Sequence, residues 1–187
     1  MRARERALVG AVVLVGVVSA VSLAVPIAPF LPRTWHRLLH VFGAVMFLGN
    51  VATGALWFTL ATLTRSCRVL SFAIRVVNLA DLVFTAPGAL LLVVNGAVLA
   101  PTWGGVAHSP WLLLGTALFV ACGVAWACVL VPIQVRLVGL LEQVPRDDDP
   151  VSVHPELPRR FAVYGVVGGV TGTAALVALF AMVTKLQ

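Results

Sequence analysis

Residues 72–99 read FAIRVVNLADLVFTAPGALLLVVNGAVL. The stretch is long enough to cross a bilayer, which takes about 20 apolar residues in a helix. Yet it carries Arg75, Asn78, Asp81 and Asn95. A carboxylate at mid-membrane costs roughly 2.5–3.5 kcal/mol on insertion scales, so Asp81 marks a place where the helix faces protein or water rather than lipid. On a helix turning about 100° per residue, Asn78, Asp81, Thr85, Gly88 and Asn95 fall within an arc of about 100°. The stripe predicts one inward face, with the Leu and Val residues turned to lipid. Pro87 has no N–H to donate and is expected to interrupt the helix where the stripe continues.

The surrounding composition agrees with a membrane setting. Hydrophobic residues make up 60% of the 187 and charged residues only 11%, against about 25% charged in soluble domains. The fold class expected is all-α, a polytopic membrane helix bundle of five transmembrane helices. At about 20 residues per span these nearly exhaust the length and leave no separate soluble domain. The net charge of +6 comes from arginines that collect at span ends, so the partner it implies is the lipid bilayer and not nucleic acid. Cys67, Cys122 and Cys128 show no CxxC spacing and predict no disulfide framework.

Residues 1–35 form the first unit. MRARER precedes an apolar run over 8–31 that exceeds the 7–15 residues of a cleavable signal core, so a retained N-terminal span or signal anchor is expected. Pro26, Pro29 and Pro32 end it. Residues 36–187 form a four-helix core with spans over 37–63, 72–99, 111–140 and 161–183. Arg2, Arg4, Arg6, Arg65, Arg68, Arg146, Arg159 and Arg160 fall on one side, against Arg33, Arg37 and Lys185 on the other. The positive-inside rule then puts the N-terminus in the cytoplasm and the C-terminus outside the plasma membrane. Asp147, Asp148 and Asp149 lie in the longest loop and read as a solvated acidic run. In the last span, Gly165 with Gly169 and Gly168 with Gly172 form two overlaid GxxxG spacings. These suit close helix packing, either inside the bundle or in a homo- or hetero-oligomer.

Folding the second span onto the third about Ser66 places Asn50 at the depth of Asp81, and His40 at the depth of residues 92–95. Reflecting the third onto the fourth about Gly105 sets Thr116 beside Asn95, and Gln134 and Arg136 near Asn78 and Arg75. Two polar layers result. The inner holds Asn50, Arg75, Asn78, Asp81, Gln134 and Arg136; the outer holds His40, Asn95 and Thr116. Asp81 is then either part of a satisfied network, neutralised by an arginine or protonated after desolvation, or a catalytic proton donor and acceptor. His36 and His40 are four residues apart on one helix face, with His108 in the loop on the same side. Such imidazoles can ligate copper, zinc or haem iron, or can simply hydrogen-bond neighbouring helices.

From Trp35 onward, LLHVFGAVMFLGN, DLVFTAPGALLLVVNGAVLA, WLLLGTALFV with VPIQVRL, and LPRRFAVYGVVGGV leading to AMVTKL resemble a bacterial family of predicted integral membrane proteins of unknown function. That family is placed in the superfamily of copper-resistance protein D and the HemJ-type protoporphyrinogen oxidases. The resemblance implies a four-helix membrane core, and it implies that His40 matches the haem-binding histidine of the HemJ-type enzymes. Those enzymes also use an intramembrane lysine, whereas the only lysine here is Lys185 near the C-terminus. The function expected is a b-type haem- or copper-binding membrane protein with a redox role. His40 is its expected ligand, and Asn78, Asn95 and Gln134 are the polar groups around the cofactor. Its enzymatic form is a membrane oxidoreductase in which Asp81 handles the proton. The alternatives are a metal or small-solute permeation protein with His36, His40 and His108 at its mouth, and a structural partner that packs through its glycines.

Overall fold

The computed structural model describes residues 3–25, 27–143 and 156–185. Among these, five helical segments are long and apolar enough to cross a membrane, and none of the described residues is in a strand. They are α1 (Ala3–Ala24), α2 (Arg33–Leu63), a third span Cys67–Trp103, a fourth Pro110–Leu141, and a last helix (Glu156–Thr184). The acidic loop residues Asp147, Asp148 and Asp149 lie outside the described residues. At 1.5 Å per residue, the 31-residue α2 is about 46 Å long and reaches beyond the hydrocarbon core at its ends.

The third and fourth spans share one design. Each is an α-helix, a five-residue π-turn, then α-helix again: α3 (Cys67–Ala80), Asp81–Thr85 and α4 (Ala86–Leu99) in the third, α5 (Pro110–Ala125), Trp126–Leu130 and α6 (Val131–Leu141) in the fourth. The prolines explain the placement. Pro87 and Pro132 each follow a π-turn by two residues, and a proline cannot donate to the helix and would clash with the carbonyl four residues back. A wider turn relieves that clash. Ala86 N–H bonds Asp81 O and Val131 N–H bonds Trp126 O, five residues back in each case. Pro87 therefore widens its helix without breaking it, and the expected interruption becomes a π-turn that begins on Asp81. The last helix is α7.

Connections are short where they are described. Arg65 adopts a left-handed conformation (φ 50°) between α2 and α3, and the Ser66 hydroxyl caps α3 by accepting from Val69 N–H. At the opposite end, Ala100–Trp103 and Val106–His108 form 3-10 turns around Gly104 and Gly105, both at positive φ. Lys185 lies over the Trp103 ring, which meets Trp111 edge to face. That end holds three aromatic or cationic groups of the kind that anchor a helix at a membrane interface.

In lipid, helices gain nothing from hiding apolar side chains from one another, so close packing and hydrogen bonds hold the bundle. The most extensive interface is α2 against α4, and α5 against α7 is next. Gly43 and Gly88 let α2 and α4 touch backbone to backbone. A Cβ on Gly43 would lie 2.8 Å from Gly88 O, and one on Gly88 would lie 3.0 Å from Gly43 O. α1 packs chiefly on α4, with Val15 buried against Ala86 and Ala89. An apolar cluster with Phe58, Cys67, Leu70, Ile74, Leu137, Leu141 and Leu157 fills the bundle at the Ser66 end.

A buried carboxylate and the cavity beside it

Asp81 sits at the start of the third span's π-turn and is 7% exposed. Its Oδ1 accepts from Asn50 Nδ2 (3.0 Å) and from Thr85 Oγ1 (2.9 Å). Its Oδ2 accepts from Gln134 Nε2 (2.9 Å) and Trp126 Nε1 (3.2 Å). Four donors match the four lone-pair sites of a carboxylate. Asn50 also donates to Thr85 Oγ1 (2.7 Å), and Gln134 donates its second N–H to the Tyr164 hydroxyl (3.0 Å). Five residues from α2, α6, α7 and both π-turns are therefore tied to one acid.

The π-turn in the fourth span makes this convergence possible. Trp126 and Gln134 are eight residues apart, about 80° out of line on a regular α-helix, and one extra residue absorbed by the π-turn brings them to within about 20°. Both then reach the same oxygen of Asp81.

The expected inner layer is found in part. Asn50, Asp81 and Gln134 meet, but Arg75 and Arg136 do not join them. Arg75 pairs with Glu142 at 3.0 Å and is about half exposed, while Glu156 pairs with Arg160 (2.8 Å) and Arg136 (3.9 Å). The reason is reach: both arginines lie nearer the Ser66 end, where water can solvate them, and acidic partners stand beside them there. Among the described residues no arginine or lysine pairs with Asp81. Asn78 is half-buried with its Oδ1 unpaired and takes no part in the cluster. Thr85 belonged to the polar stripe. Trp126 and Tyr164 were not expected here, although each carried a signal: an indole placed mid-span rather than at an interface, and the sole tyrosine of the chain, both with a polar atom that needs a partner when buried.

The outer layer resolves into two separate arrangements. His36 is fully buried; its Nε2 accepts from Leu31 N–H (3.2 Å), so Nδ1 carries the proton and donates to Asn95 Oδ1 (2.8 Å). Asn95 in turn donates to Leu91 O (2.9 Å). His40 Nδ1 lies 2.9 Å from Leu92 O, an acceptor only, so that nitrogen is the donor. Gly96 makes room for the ring, since a Cβ there would come within 3.1 Å of His40 Cε1. His108 is exposed in its 3-10 turn and Thr116 is half-buried. Among the described residues no group of three or more His, Cys, Asp or Glu gathers as a metal cage. The trio His36, His40 and His108 is thus not assembled, because His36 spends both nitrogens inside the protein and His108 stays in the loop.

Beside Asp81 lies a cavity of about 220 Å³, lined by Asn50, Thr85, Gln134 and Tyr164 together with Phe47, Phe58 and Trp126. Its outer wall is α7. Gly165, Gly168 and Gly169 border the cavity, and a Cβ on any of them would meet nothing within 4 Å. Of the four motif glycines only Gly172 faces a neighbour, with its Cβ position 3.5 Å from Val51 Cγ1. The expected close packing through this motif is therefore not what these three glycines do inside the bundle. They thin the wall of a cavity.

These features define a polytopic, all-α membrane protein with a hydrogen-bonded carboxylate beside a half-open cavity. Residues 34–186 match the family described as predicted integral membrane protein (DUF2269), and the chain belongs to that family. No curated protein and no solved structure matches the chain.

Proposed function

We propose that this protein binds a small lipid-soluble molecule in the cavity beside Asp81, with the carboxylate as the group that exchanges a proton or cation with it. The observation that carries this reading is a buried acid held by four neutral donors, without a described cationic partner, next to space for a ligand. Access runs sideways. Antiparallel α2 and α7 touch at Phe58 with Phe161 and Tyr164 toward one end, and at Val51 with Gly172 toward the other. Between these contacts the cavity lining includes the exposed residues Ala55, Gly165 and Gly169, which form a mouth toward lipid. Aromatic residues bound the space along the membrane normal. Phe58 and the apolar cluster close the Ser66 end, and Phe47 tilted against Phe119 (ring centroids 5.7 Å apart) closes the other. That closure favours binding from the bilayer over a permeation path from the histidine end.

A lipid-soluble phenyldiazirine photoreagent tests this reading. It should label the Trp126–Leu130 turn and α6 near Gln134 as well as the outer helix faces, and Gly168→Leu should remove the internal labelling only. Labelling confined to outer faces and indifferent to Gly168→Leu would sink the proposal.

A second reading rests on His40. With Nδ1–H fixed on Leu92 O, the neutral ring keeps its Nε2 lone pair, which makes no hydrogen bond among the described residues. Backbone anchoring of one nitrogen is how ligating histidines are commonly oriented. This fits one ligand to haem b or copper, in keeping with the resemblance to the copper-resistance protein D and HemJ-type superfamily. The cofactor would supply the redox chemistry, and Asp81, on another level of the bundle, would not touch it. A Soret band or stoichiometric copper lost in His40→Ala supports this reading; wild type purified without either from haem- and copper-replete cells rules it out. In both readings the arginine distribution orients the chain in the plasma membrane with the N-terminus cytoplasmic and the C-terminus external. The span in residues 1–35 is an addition to the four-helix core.

A further inference from the structure

One hydrogen in the cluster around Asp81 has no acceptor. Asn50 spends both amide hydrogens, on Asp81 and Thr85, and Gln134 spends both of its own, on Asp81 and Tyr164. Thr85 O–H and Trp126 N–H also go to Asp81. The other donors in the cavity lining, Thr59, Cys122 and Thr171, bond backbone carbonyls of α2 and α7. Tyr164 is left over: its hydroxyl accepts from Gln134 and donates to no described residue, although a phenol carries a hydrogen to give. A proton on Asp81 would add a hydrogen to this surplus and absorb none, so the count holds for either state of the acid. One acceptor is unspent as well. Asn50 Oδ1 makes no hydrogen bond among the described residues and keeps accessible surface, whereas Gln134 Oε1 is sealed.

From these we infer that the cavity takes a neutral lipophilic alcohol, whose hydroxyl oxygen accepts from Tyr164 O–H and whose own hydrogen goes to Asn50 Oδ1. The inference rests on the bilayer-facing binding site proposed above and names its ligand class. Both residues line the cavity, Asn50 from α2 and Tyr164 from α7. The bilayer supplies the selectivity. In hydrocarbon a hydroxyl has no partner and pays for its lost hydration, so a head group that both gives and accepts is drawn to a place where each need is met. An ether oxygen could satisfy Tyr164 but has nothing for Asn50, and a hydrocarbon satisfies neither. A cavity of about 220 Å³ holds the hydroxyl and a few carbons, and the tail lies in the mouth between α2 and α7 along Gly165 and Gly169.

The test uses three diazirine-bearing probes of equal chain length on the whole protein in lipid vesicles: a primary alcohol, its methyl ether and the hydrocarbon, with cavity labelling normalised to that of the outer helix faces. The alcohol should label the cavity residues about fivefold more than the ether, and the ether about fivefold more than the hydrocarbon, the ratio that one neutral hydrogen bond supplies. Gly168→Leu should exclude all three. Tyr164 is the sole tyrosine of the chain, so the tyrosine ring doublet in the Raman spectrum, which reports whether the hydroxyl donates, reads the contact directly. Alcohol and ether should shift the doublet, and the hydrocarbon should leave it unchanged. Ether labelling equal to that of the alcohol overturns the inference, as does a doublet that saturating alcohol fails to shift, the result expected if water already accepts from Tyr164. If the hydrocarbon probe still reaches the cavity in that case, the bilayer-facing site survives; if no probe reaches it, both fall.

Discussion

Replacing Gly43 by alanine and replacing Gly168 by alanine add the same methyl group to a membrane helix, and the structure assigns them opposite signs. At Gly43 the new Cβ would lie 2.8 Å from Gly88 O, 2.8 Å from Leu91 Cβ and 3.0 Å from Leu92 N. Two of the three are backbone atoms, which cannot swing aside as the end of a long side chain can. α2 must therefore back away from α4, and a gap of about 0.5–1 Å already forfeits a quarter to a half of each dispersion contact that it opens. Overpacking costs roughly 1–3 kcal/mol, and a contact this rigid belongs at the upper end. Better helix propensity returns about 1 kcal/mol, leaving a net loss of about 2 kcal/mol. At Gly168 the methyl group meets nothing within 4 Å, so only the propensity gain of about 1 kcal/mol applies.

The two variants should thus differ by about 3 kcal/mol, with wild type between them. Equilibrium unfolding in mixed micelles with increasing SDS, followed by far-UV circular dichroism, measures the difference directly. The Asn50–Asp81 and His36–Asn95 hydrogen bonds flank the Gly43 crossing on either side, so the loss at Gly43 should not fall short of the packing term alone. A Gly168→Ala protein destabilised as much as Gly43→Ala would refute the reasoning, because it would mean that the GxxxG face, and not the lone glycine pair, is where backbones touch.

Other consequences are smaller or simpler to read. Asp81→Asn turns an amide N–H₂ toward donors that had faced a carboxylate oxygen and should cost about 3 kcal/mol in the same unfolding assay, whereas Arg75→Gln, which breaks a half-exposed pair, should cost no more than about 1 kcal/mol. Equal penalties would show that charge at the Ser66 end matters as much as the buried acid. In a background without Cys67, Cys122 and Cys128, Asn50→Cys should cross-link with Asp81→Cys far faster than with Asn95→Cys; similar yields would contradict the α2 and α4 register. Trp126→Phe keeps a ring against the cavity but removes one donor to Asp81, and should lower stability by about 1 kcal/mol; no change would remove the indole N–H from the cluster. A reporter after Gln187 should read as external and one at Asp148 as cytoplasmic, and the reverse would overturn the proposed orientation.

Much of the architecture was legible because it depends on quantities that a linear sequence carries. Spans expected over 37–63, 72–99, 111–140 and 161–183 correspond to Arg33–Leu63, Cys67–Trp103, Pro110–Leu141 and Glu156–Thr184, each longer at one or both ends. A tight turn at Ser66 makes depth in α2 a mirror of depth in α3 and α4. That is why Asn50 meets Asp81 and His40 meets Leu92. What could not be read was rotation about the helix axes. The π-turns change the facing of everything beyond them, and they decide that Trp126 and Gln134 share a side. Glycine spacing misled for a similar reason: GxxxG in α7 says that a face is narrow, but only the neighbouring helices decide whether that narrow face is closed by packing or left as a wall of a cavity. The pair that closes on itself, Gly43 with Gly88, has no motif because its halves lie in different helices.

The choice of partners for Asp81 bears on what the cluster is for. An arginine beside it would have closed the charge on itself and left a net-neutral pair whose hydrogen bonds need nothing further. Arg75 and Arg160 instead meet Glu142 and Glu156 near the Ser66 end, where the pair is partly exposed and worth little to stability. Among the described residues the acid is held by two amides, a hydroxyl and an indole. These orient it without neutralising it. A chain that needed only a well-packed core could have carried an apolar residue at that position, at no desolvation cost. Here two widened turns, a thinned glycine wall and an unpaired amide oxygen all converge on one carboxylate, and each would be a defect in a packed core. Together they hold the carboxyl group fixed at the edge of a cavity whose lining includes exposed residues of α2 and α7, which is the arrangement that the proposed binding of a molecule from the bilayer requires.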